Sequence, residues 1–193
     1  MNLKPVFFRV LWLTLALSLP ASCRSLPPAP MPAGVVLKPG QYIQRFYRDP
    51  QLEPVKAAYV LKPFRVERAT GVAPDTMAAL FAEELEKAWE ANGLKVAPGP
   101  ESLKVEGAIY LVRLKGTWVR FIIGRLHISL AVSGTIRRGD QVLFAFQDRV
   151  DLTSPIKPGR GAPKETELLL RQAAREVAHH LLNELLIYGG PGE

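Results

Sequence analysis

Cysteine is almost absent from this chain. Cys23 is the only cysteine among 193 residues, which excludes an intramolecular disulfide framework. A free thiol would be a liability in an oxidising compartment, whereas lipidation of the sulfur would remove it. The position of this one cysteine is therefore informative.

Long apolar runs are also absent. The longest run covers residues 10–19 and follows Lys4 and Arg9. About 20 apolar residues are needed to cross a bilayer, so a transmembrane helix is not expected here. A short apolar run that follows basic residues and ends in small residues is typical of a secretory signal peptide. We assign this signal to residues 1–22.

Three residues, Pro20, Ala21 and Ser22, separate the apolar run from Cys23. This arrangement resembles the lipobox of bacterial lipoproteins, in which the cysteine is diacylated. That family favours leucine three places before the cysteine, whereas here Pro20 takes that place and Leu19 lies one residue further back. The resemblance implies that Cys23 is lipidated and that membrane lipid is a partner, because two acyl chains give stable anchoring. The alternative is an ordinary cut after Ala21 or Ser22 and a plain secreted protein.

The region after the cysteine has the composition of a tether. Four prolines fall within residues 24–34, which favours extended polyproline conformations. We therefore divide the chain into the signal peptide at 1–22, the lipidated cysteine with its tether at 23–34, a single domain at 35–188 and a flexible tail at 189–193. A domain of this length can bury a substantial core.

Charge favours an anionic partner. The formal net charge is +7, and Lys4 and Arg9 supply two of these charges, which leaves five for the rest of the chain. A mild positive excess suits lipid headgroups, glycolipid phosphates or a cell-wall polymer. We do not expect nucleic acid as a partner, because export separates the protein from it.

Hydrophobic periodicity predicts an α+β fold. Three of the predicted strands, at 103–114, 126–137 and 141–151, follow one another, and Gly139 lies in the turn between the last two. The resulting architecture is a mainly antiparallel four- to five-stranded sheet with two amphipathic helices packed on one face. The other predicted elements are an irregular or edge segment at 35–54, a strand at 57–67 that contains Pro63, a helix at 74–92, a short strand at 94–97, a loop at 155–163 and a helix at 164–187.

Several of these features together resemble a known group of proteins. They are Cys23 with its leader, the helix end at residues 90–96, the strand that contains Val105, the segment 123–130, and the hairpin through Gly139 and Asp140. The chain resembles small bacterial envelope lipoproteins of unassigned function, together with auxiliary lipoproteins of ABC transporters and the lipopolysaccharide-assembly lipoprotein. The resemblance implies a non-enzymatic accessory role and supplies no catalytic residues.

No motif for catalysis or cofactor binding is present. The sequence contains no nucleophile elbow, phosphate loop or dinucleotide fingerprint. The histidines are His127, His179 and His180; the last two are adjacent on a helix and point about 100° apart, so we expect no metal site. Asp148 and Asp151 lie three apart in a strand and should face opposite sides. We therefore expect no catalytic residues, no cofactor and no metal.

One segment suggests a binding surface. Residues 107–139 contain no acidic residue, and basic and aromatic side chains alternate within this range. Such a mixture suits an interface with an anionic glycolipid, a phospholipid surface or an envelope protein. The alternative is that residues 119, 121 and 123 extend a strand and that the arginines are a solvated face. The predicted binding residues are Arg113, Lys115, Trp118, Arg120, Phe121 and Arg125.

These observations lead to three functional hypotheses. The first is a lipid-anchored protein of the bacterial cell envelope, facing the periplasm or the surface, that acts as a non-catalytic accessory subunit of a transport or envelope-assembly complex. The second is a periplasmic regulator that binds a cell-wall synthase or peptidoglycan. The third is a hydrolase with an unrecognised site. Arg24, which follows Cys23, leaves the choice between inner and outer membrane open.

Overall fold

The computed structural model describes residues 34–115, 125–155 and 162–187. The predicted signal peptide, Cys23, the tether up to residue 33 and the tail at 189–193 lie outside these residues. The described elements are β1 (Lys38–Pro39), β2 (Arg45–Arg48), a 3-10 helix (Pro54–Lys56), β3 (Ala58–Leu61), β4 (Arg65–Val66), β5 (Ala69–Thr70), α1 (Pro74–Ala91), β6 (Lys95–Val96), β7 (Leu103–Lys115), β8 (Arg125–Arg138), β9 (Gln141–Pro155) and α2 (Ala162–Ile187).

The sheet is larger than the sequence predicts. It has nine strands in the order β1-β2-β9-β8-β7-β3-β6, with β4 and β5 also paired to β7. The three long strands β7, β8 and β9 form an antiparallel meander, whereas β3, β4 and β5 run parallel to β7. The prediction of an α+β fold with a mostly antiparallel sheet is confirmed, but the prediction of four to five strands is wrong.

Short edge strands account for the difference. The predicted strand at 57–67 is divided into β3 and β4 around Pro63, which cannot donate to a ladder, and β5 continues the same edge of β7. The segment at 35–54, predicted to be irregular, contributes β1 and β2. Strands of two to four residues leave almost no periodic signal, because their pairing is fixed by the long neighbouring strand.

Both helices pack on one face of the sheet. The apolar stripe of α1, which includes Phe81, Leu85 and Trp89, is buried in one core cluster with the stripe of α2 and the inward side chains of β8. These inward residues are Leu126, Ile128, Leu130, Val132 and Ile136, each at most 4% exposed. The period-two alternation predicted for residues 126–137 is therefore confirmed.

Two glycines allow bulky rings to lie against the sheet. Gly107 on β7 pairs with Gly134 on β8. A Cβ on Gly107 would lie 2.4 Å from the Phe64 ring, and a Cβ on Gly134 would lie 2.7 Å from the Phe146 ring. Neither distance is sterically possible, so the absence of side chains at this cross-strand pair is what lets both rings pack there.

Candidate binding face

The face of the sheet opposite the helices is covered by no helix of the described ranges. Along β8 it carries the residues that alternate with the core: His127, Ser129, Ala131, Ser133, Thr135 and Arg137. Strand pairing places residues of β2, β4, β7 and β9 on the same side. We call this surface the helix-free face. Its centre is closely packed, because Tyr110, Leu111 and Ala131 form a second small buried cluster.

Charge is segregated between the two sides of the domain. The helix-free face carries nine cations and three acids among its described side chains. By contrast, α1 carries five acids and one lysine, and α2 on the same side carries four acids and three cations. The cations of the helix-free face are Arg45, Lys62, Arg65, Lys95, Lys104, Arg113, Lys115, Arg137 and Arg149, and its acids are Glu67, Glu106 and Asp151.

The predicted binding residues fall partly on this face. Arg113 and Lys115 end β7, are exposed, and pair in register with Ser129 and His127 of β8. Neither has an ion-pair partner among the described residues. The backbone of Arg125 begins β8 opposite Pro155. The remaining predicted residues, Trp118, Arg120 and Phe121, and the alternative of a prolonged strand at 119–123 lie outside the described ranges.

A polar cluster adjoins Arg113 and Lys115. Asp151 accepts a hydrogen bond from Ser129 Oγ at 2.5 Å and two from Arg149, at 2.8 Å and 3.1 Å. His127 lies 3.0 Å from Thr153 through Nδ1 and 3.3 Å from Ser129 Oγ through Nε2. Burial alone would raise the pKa of Asp151, but the bonds from Arg149 and Ser129 outweigh it and hold the pKa below its usual range. Asp151 is therefore ionised at neutral pH and fixes the guanidinium of Arg149.

This cluster contains serine, histidine and aspartate, but its geometry differs from that of a hydrolytic triad. In a triad, histidine Nε2 takes the serine proton and the carboxylate binds Nδ1. Here Ser129 donates to Asp151, and Asp151 Oδ1 lies on the Nε2 side of His127, at 3.7 Å. The hydroxyl of Thr153 takes the Nδ1 side. The arrangement directs the serine proton to the carboxylate and leaves His127 without an orienting acid at Nδ1.

The other end of the helix-free face contains a cavity of about 500 Å³. Its floor is formed by Ala108, Ser133 and Thr135 together with the backbone of the glycine pair, and its walls by Lys62, Arg65, Glu67, Glu106 and Arg137. Arg137 contacts Glu106 at 3.6 Å and donates to the backbone oxygen of Asp140 at 3.0 Å. On β7 the residues that line the cavity, 106–108, lie seven to nine residues from Lys115, or about 23 to 30 Å along the strand.

The remaining aspartate and histidine lie on the helix side. Asp148 is 2% exposed and contacts His180 Nδ1 at 2.9 Å, and it accepts a bond from the backbone N–H of Gln44 at 3.3 Å. Burial raises the pKa of Asp148, and the bonds from His180 and Gln44 oppose this shift. The prediction that Asp148 and Asp151 face opposite sides is confirmed. Among the described residues, no cluster of three or more histidine or acidic side chains is placed to hold a metal ion.

Helical acids are less exposed than their sequence positions suggest. The sequence places acidic residues on the solvent faces of the helices, but Glu84 is 2% and Glu184 is 0% exposed. Both are bound by donors from other elements. Neither α1 nor α2, the two helices described, is apolar enough over a sufficient length to cross a membrane.

Sequence reasoning missed most of the helix-free face. Arg45, Arg65 and Arg149 come from three separate segments, and only strand pairing brings them onto one surface. The available signal was the row of small polar residues that alternates with the core on β8. Cations on the strands paired to that row could then have been assigned to the same side once the register was known.

Comparison with known proteins reveals only distant similarities. No protein-family model matches the chain, and no curated protein sequence matches it. Among solved structures, it is similar to a minor lipoprotein from Acinetobacter baumannii, with 12% identity, a TM-score of 0.48, and coverage of 72% of this chain and 95% of the other. A protein from Xanthomonas campestris is similar with 14% identity, a TM-score of 0.46, and coverage of 74% and 91%. Rare lipoprotein B from Shewanella oneidensis is similar with 10% identity, a TM-score of 0.43, and coverage of 66% and 94%. Two of these three solved structures are lipoproteins by name.

Proposed function

We propose that the protein is a lipid-anchored lipoprotein of the bacterial cell envelope that serves as a non-catalytic accessory subunit of a transport or envelope-assembly complex. Cys23 carries the anchor, and the helix-free face binds an anionic surface of the partner. The chemistry required is recognition alone, so no cofactor or metal takes part. The Arg113 and Lys115 end of the face makes the contact together with the adjoining predicted residues Trp118, Arg120, Phe121 and Arg125.

The segregation of charge supports this proposal more than any other observation. A domain with an excess of cations on its helix-free face and an excess of acids on its helix side presents a directional field. Such a field steers association with an anionic partner and fixes its orientation. Exposed, unpaired cations such as Arg113 and Lys115 keep their full charge available for a partner, because no described acid neutralises them.

The course of the N-terminal segment favours a partner over the bilayer that holds the anchor. Successive strand pairings place Lys38 of β1 at the same level along the sheet as Gly134 of β8. The next residue, Pro39, is level with Ser133, one residue nearer to the start of β8. The chain therefore enters β1 from the end of the sheet that carries the β8–β9 turn.

The Lys115 end lies at the opposite end of the strands. Arg125, which begins β8, is nine residues from the Gly134 level, or about 30 Å along the strand. A tether that joins the domain at the first end places the other end further from the point of attachment. A protein partner or a second anionic surface is then the natural contact for Arg113 and Lys115.

The proposal is tested by charge reversal on the full-length protein, isolated from membranes in mild detergent. The variant Arg113→Glu/Lys115→Glu reverses both described cations, and Lys56→Glu/Lys164→Glu makes the same charge change at two exposed positions off the face. We expect wild type and the control variant to co-purify with the same envelope transport or assembly components. Recovery of these components with the face variant should fall at least about tenfold, which corresponds to a loss of about 1.4 kcal/mol of binding free energy. Equal recovery from all three proteins would refute a role for this face.

The alternatives give different results in related experiments. A regulator of cell-wall synthesis predicts that the full-length protein pellets with isolated cell wall, and that the face variant does not. A hydrolase that uses the Ser129 cluster predicts turnover of ester or amide substrates that Ser129→Ala abolishes. The accessory-subunit proposal expects neither result.

A further inference from the structure

The cavity between β4, β7 and β8 has hydroxyl donors on its floor that the described domain does not use. Ser133 is 3% and Thr135 is 8% exposed as whole residues, and both line the cavity. Neither side chain forms a hydrogen bond with another described residue. Their hydroxyl oxygens are not among the fully buried polar atoms that lack a partner, so they are open to the cavity. Two adjacent hydroxyls without a protein partner can both donate to an occupant that accepts hydrogen bonds.

The cavity wall carries charge that is also unused. Lys62 and Arg65 are exposed and have no ion-pair partner in the described part of the chain. The third cation, Arg137, is partly neutralised by Glu106 at 3.6 Å, and its buried Nε has no hydrogen-bond partner there. Glu67 is the remaining acid of the lining. Unpaired cations therefore outnumber unpaired acids, and the occupant should be an anion.

We propose that this cavity is a binding site for a phosphate monoester of a small polyol or sugar. Lys62 and Arg65 line the wall and the two hydroxyls line the floor, so the cavity has donors on more than one side. Donors on several sides match the three terminal oxygens of a phosphate better than the two oxygens of a carboxylate. A volume of about 500 Å³ is within the usual range for small-molecule sites and leaves room for the esterified polyol or sugar beside the phosphate.

The site is separate from the Lys115 end of the face. The lining residues of β7 lie five to nine residues from Arg113 and Lys115, or about 17 to 30 Å of strand, which exceeds the Debye length of about 8 Å at physiological ionic strength. Binding in the cavity therefore does not depend on the contact that Arg113 and Lys115 make. The proposal adds a ligand of defined chemistry to an otherwise macromolecular binding role.

The test uses isothermal titration of the full-length protein in detergent with glycerol 3-phosphate and glucose 1-phosphate. Glycerol and glucose serve as uncharged controls. We expect saturable binding of at least one phosphate ester and none of the uncharged compounds. Arg65→Gln and Lys62→Gln should each weaken binding about tenfold, and Ser133→Ala several-fold. Arg45→Gln, an exposed arginine of the same face that does not line the cavity, should bind like wild type.

Three results would overturn the proposal. The first is the absence of saturable binding, which would mean that water alone occupies the cavity. The second is equal binding of glucose and glucose 1-phosphate. The third is that Arg45→Gln weakens binding as much as Arg65→Gln and Lys62→Gln do. The co-purification experiment with Arg113→Glu/Lys115→Glu is independent. If the wild-type protein co-purifies with envelope components but does not bind the phosphate esters, the cavity proposal alone is rejected. If it binds the esters but co-purifies with no envelope component, the accessory role alone is rejected.

Discussion

A single buried carboxylate holds the N-terminal segment of the domain against its C-terminal helix. Glu184 Oε2 accepts hydrogen bonds from the backbone N–H groups of Gln41, Tyr42 and Ile43, at 2.8 Å, 2.7 Å and 3.4 Å. Three successive amides that converge on one oxygen form an anion-binding nest. The turn between β1 and β2 is fixed in this way, although it makes few ladder bonds of its own.

Replacement of this carboxylate should release the turn. We expect Glu184→Ala to lower the free energy of unfolding by about 2 kcal/mol, because three backbone donors, two of them partly buried and one buried, lose their acceptor. Hydrogen exchange should quicken at the amides of Gln41 and Tyr42 more than at those of β8. Both quantities can be measured by denaturant titration and exchange mass spectrometry.

The neighbouring residue provides the control for this effect. Asn183→Ala alters an exposed position on the same turn of α2 and should change stability by no more than about 0.5 kcal/mol. Glu184→Gln keeps an acceptor oxygen, so its loss of stability should lie between those of Glu184→Ala and Asn183→Ala. If Glu184→Ala leaves exchange in the turn unchanged, the carboxylate does not hold it.

At the scale of elements, the two helices are joined by charge as well as by apolar packing. Glu84 of α1 is 2% exposed, and its Oε2 accepts a hydrogen bond from Arg175 of α2 at 2.9 Å. Arg171 of α2 contacts Glu83 Oε2 at 2.7 Å and Glu84 Oε1 at 3.4 Å. Burial by itself raises the pKa of Glu84, but Arg175 and Lys87 outweigh it and hold the pKa below its usual range.

This pairing should make helix docking depend on pH. A carboxyl whose folded pKa is lowered stabilises the fold above its unfolded pKa of 4.5, and that stability is lost as pH falls through the folded pKa. We expect Glu84→Gln to lower the free energy of unfolding by about 1 kcal/mol at pH 7, since the arginines are partly exposed and screened. The difference from wild type should shrink below pH 4.5.

An exposed glutamate on the same helix is the matched control. Glu86→Gln should leave stability within about 0.5 kcal/mol at every pH, because Glu86 has no ion-pair partner among the described residues. Chemical denaturation at several pH values measures both variants. A pH-independent loss in Glu84→Gln would mean that packing, not charge, is responsible.

The long elements were predictable because each repeats its own pattern many times. The helix predicted at 74–92 is observed at Pro74–Ala91, and the strand predicted at 126–137 is observed at Arg125–Arg138. In both, periodic apolar residues bounded by glycine determine the element. The short strands β1, β2, β4 and β5 have no comparable repeat. Their pairing defines them: β4 and β5 pair with β7, β2 pairs with β9, and β1 pairs with β2.

The candidate site was predictable only where it is local in sequence. Arg113 and Lys115 were identified because residues 107–139 lack acids. The cavity instead combines Lys62 and Arg65 with Ser133, which come from distant parts of the chain. The register of strand pairing brings these residues together, and no single segment of the sequence contains enough of them for the cavity to be recognised.

At the scale of the whole molecule, the proposed anchor and the charged face would act together. The chain enters the sheet at the end that carries the β8–β9 turn, whereas Arg113 and Lys115 lie at the other end. A lipid at Cys23 would attach the domain to a bilayer through the predicted tether on the side of the first end. The Lys115 end would then be the end further from the point of attachment and open to a partner.

Removal of the anchor should separate location from folding. We expect Cys23→Ala to move the protein from the membrane to the soluble fraction, because two acyl chains supply most of its membrane affinity. The unfolding transition should be unchanged, since the core cluster of the described residues extends from Ile43 to Leu186. Ser22→Ala, one residue earlier, should stay in the membrane fraction. The contrary result is a wild-type protein that is already soluble, or whose mass shows an unmodified Cys23. The chain would then be a plain secreted protein, and its helix-free face would act without attachment to a membrane.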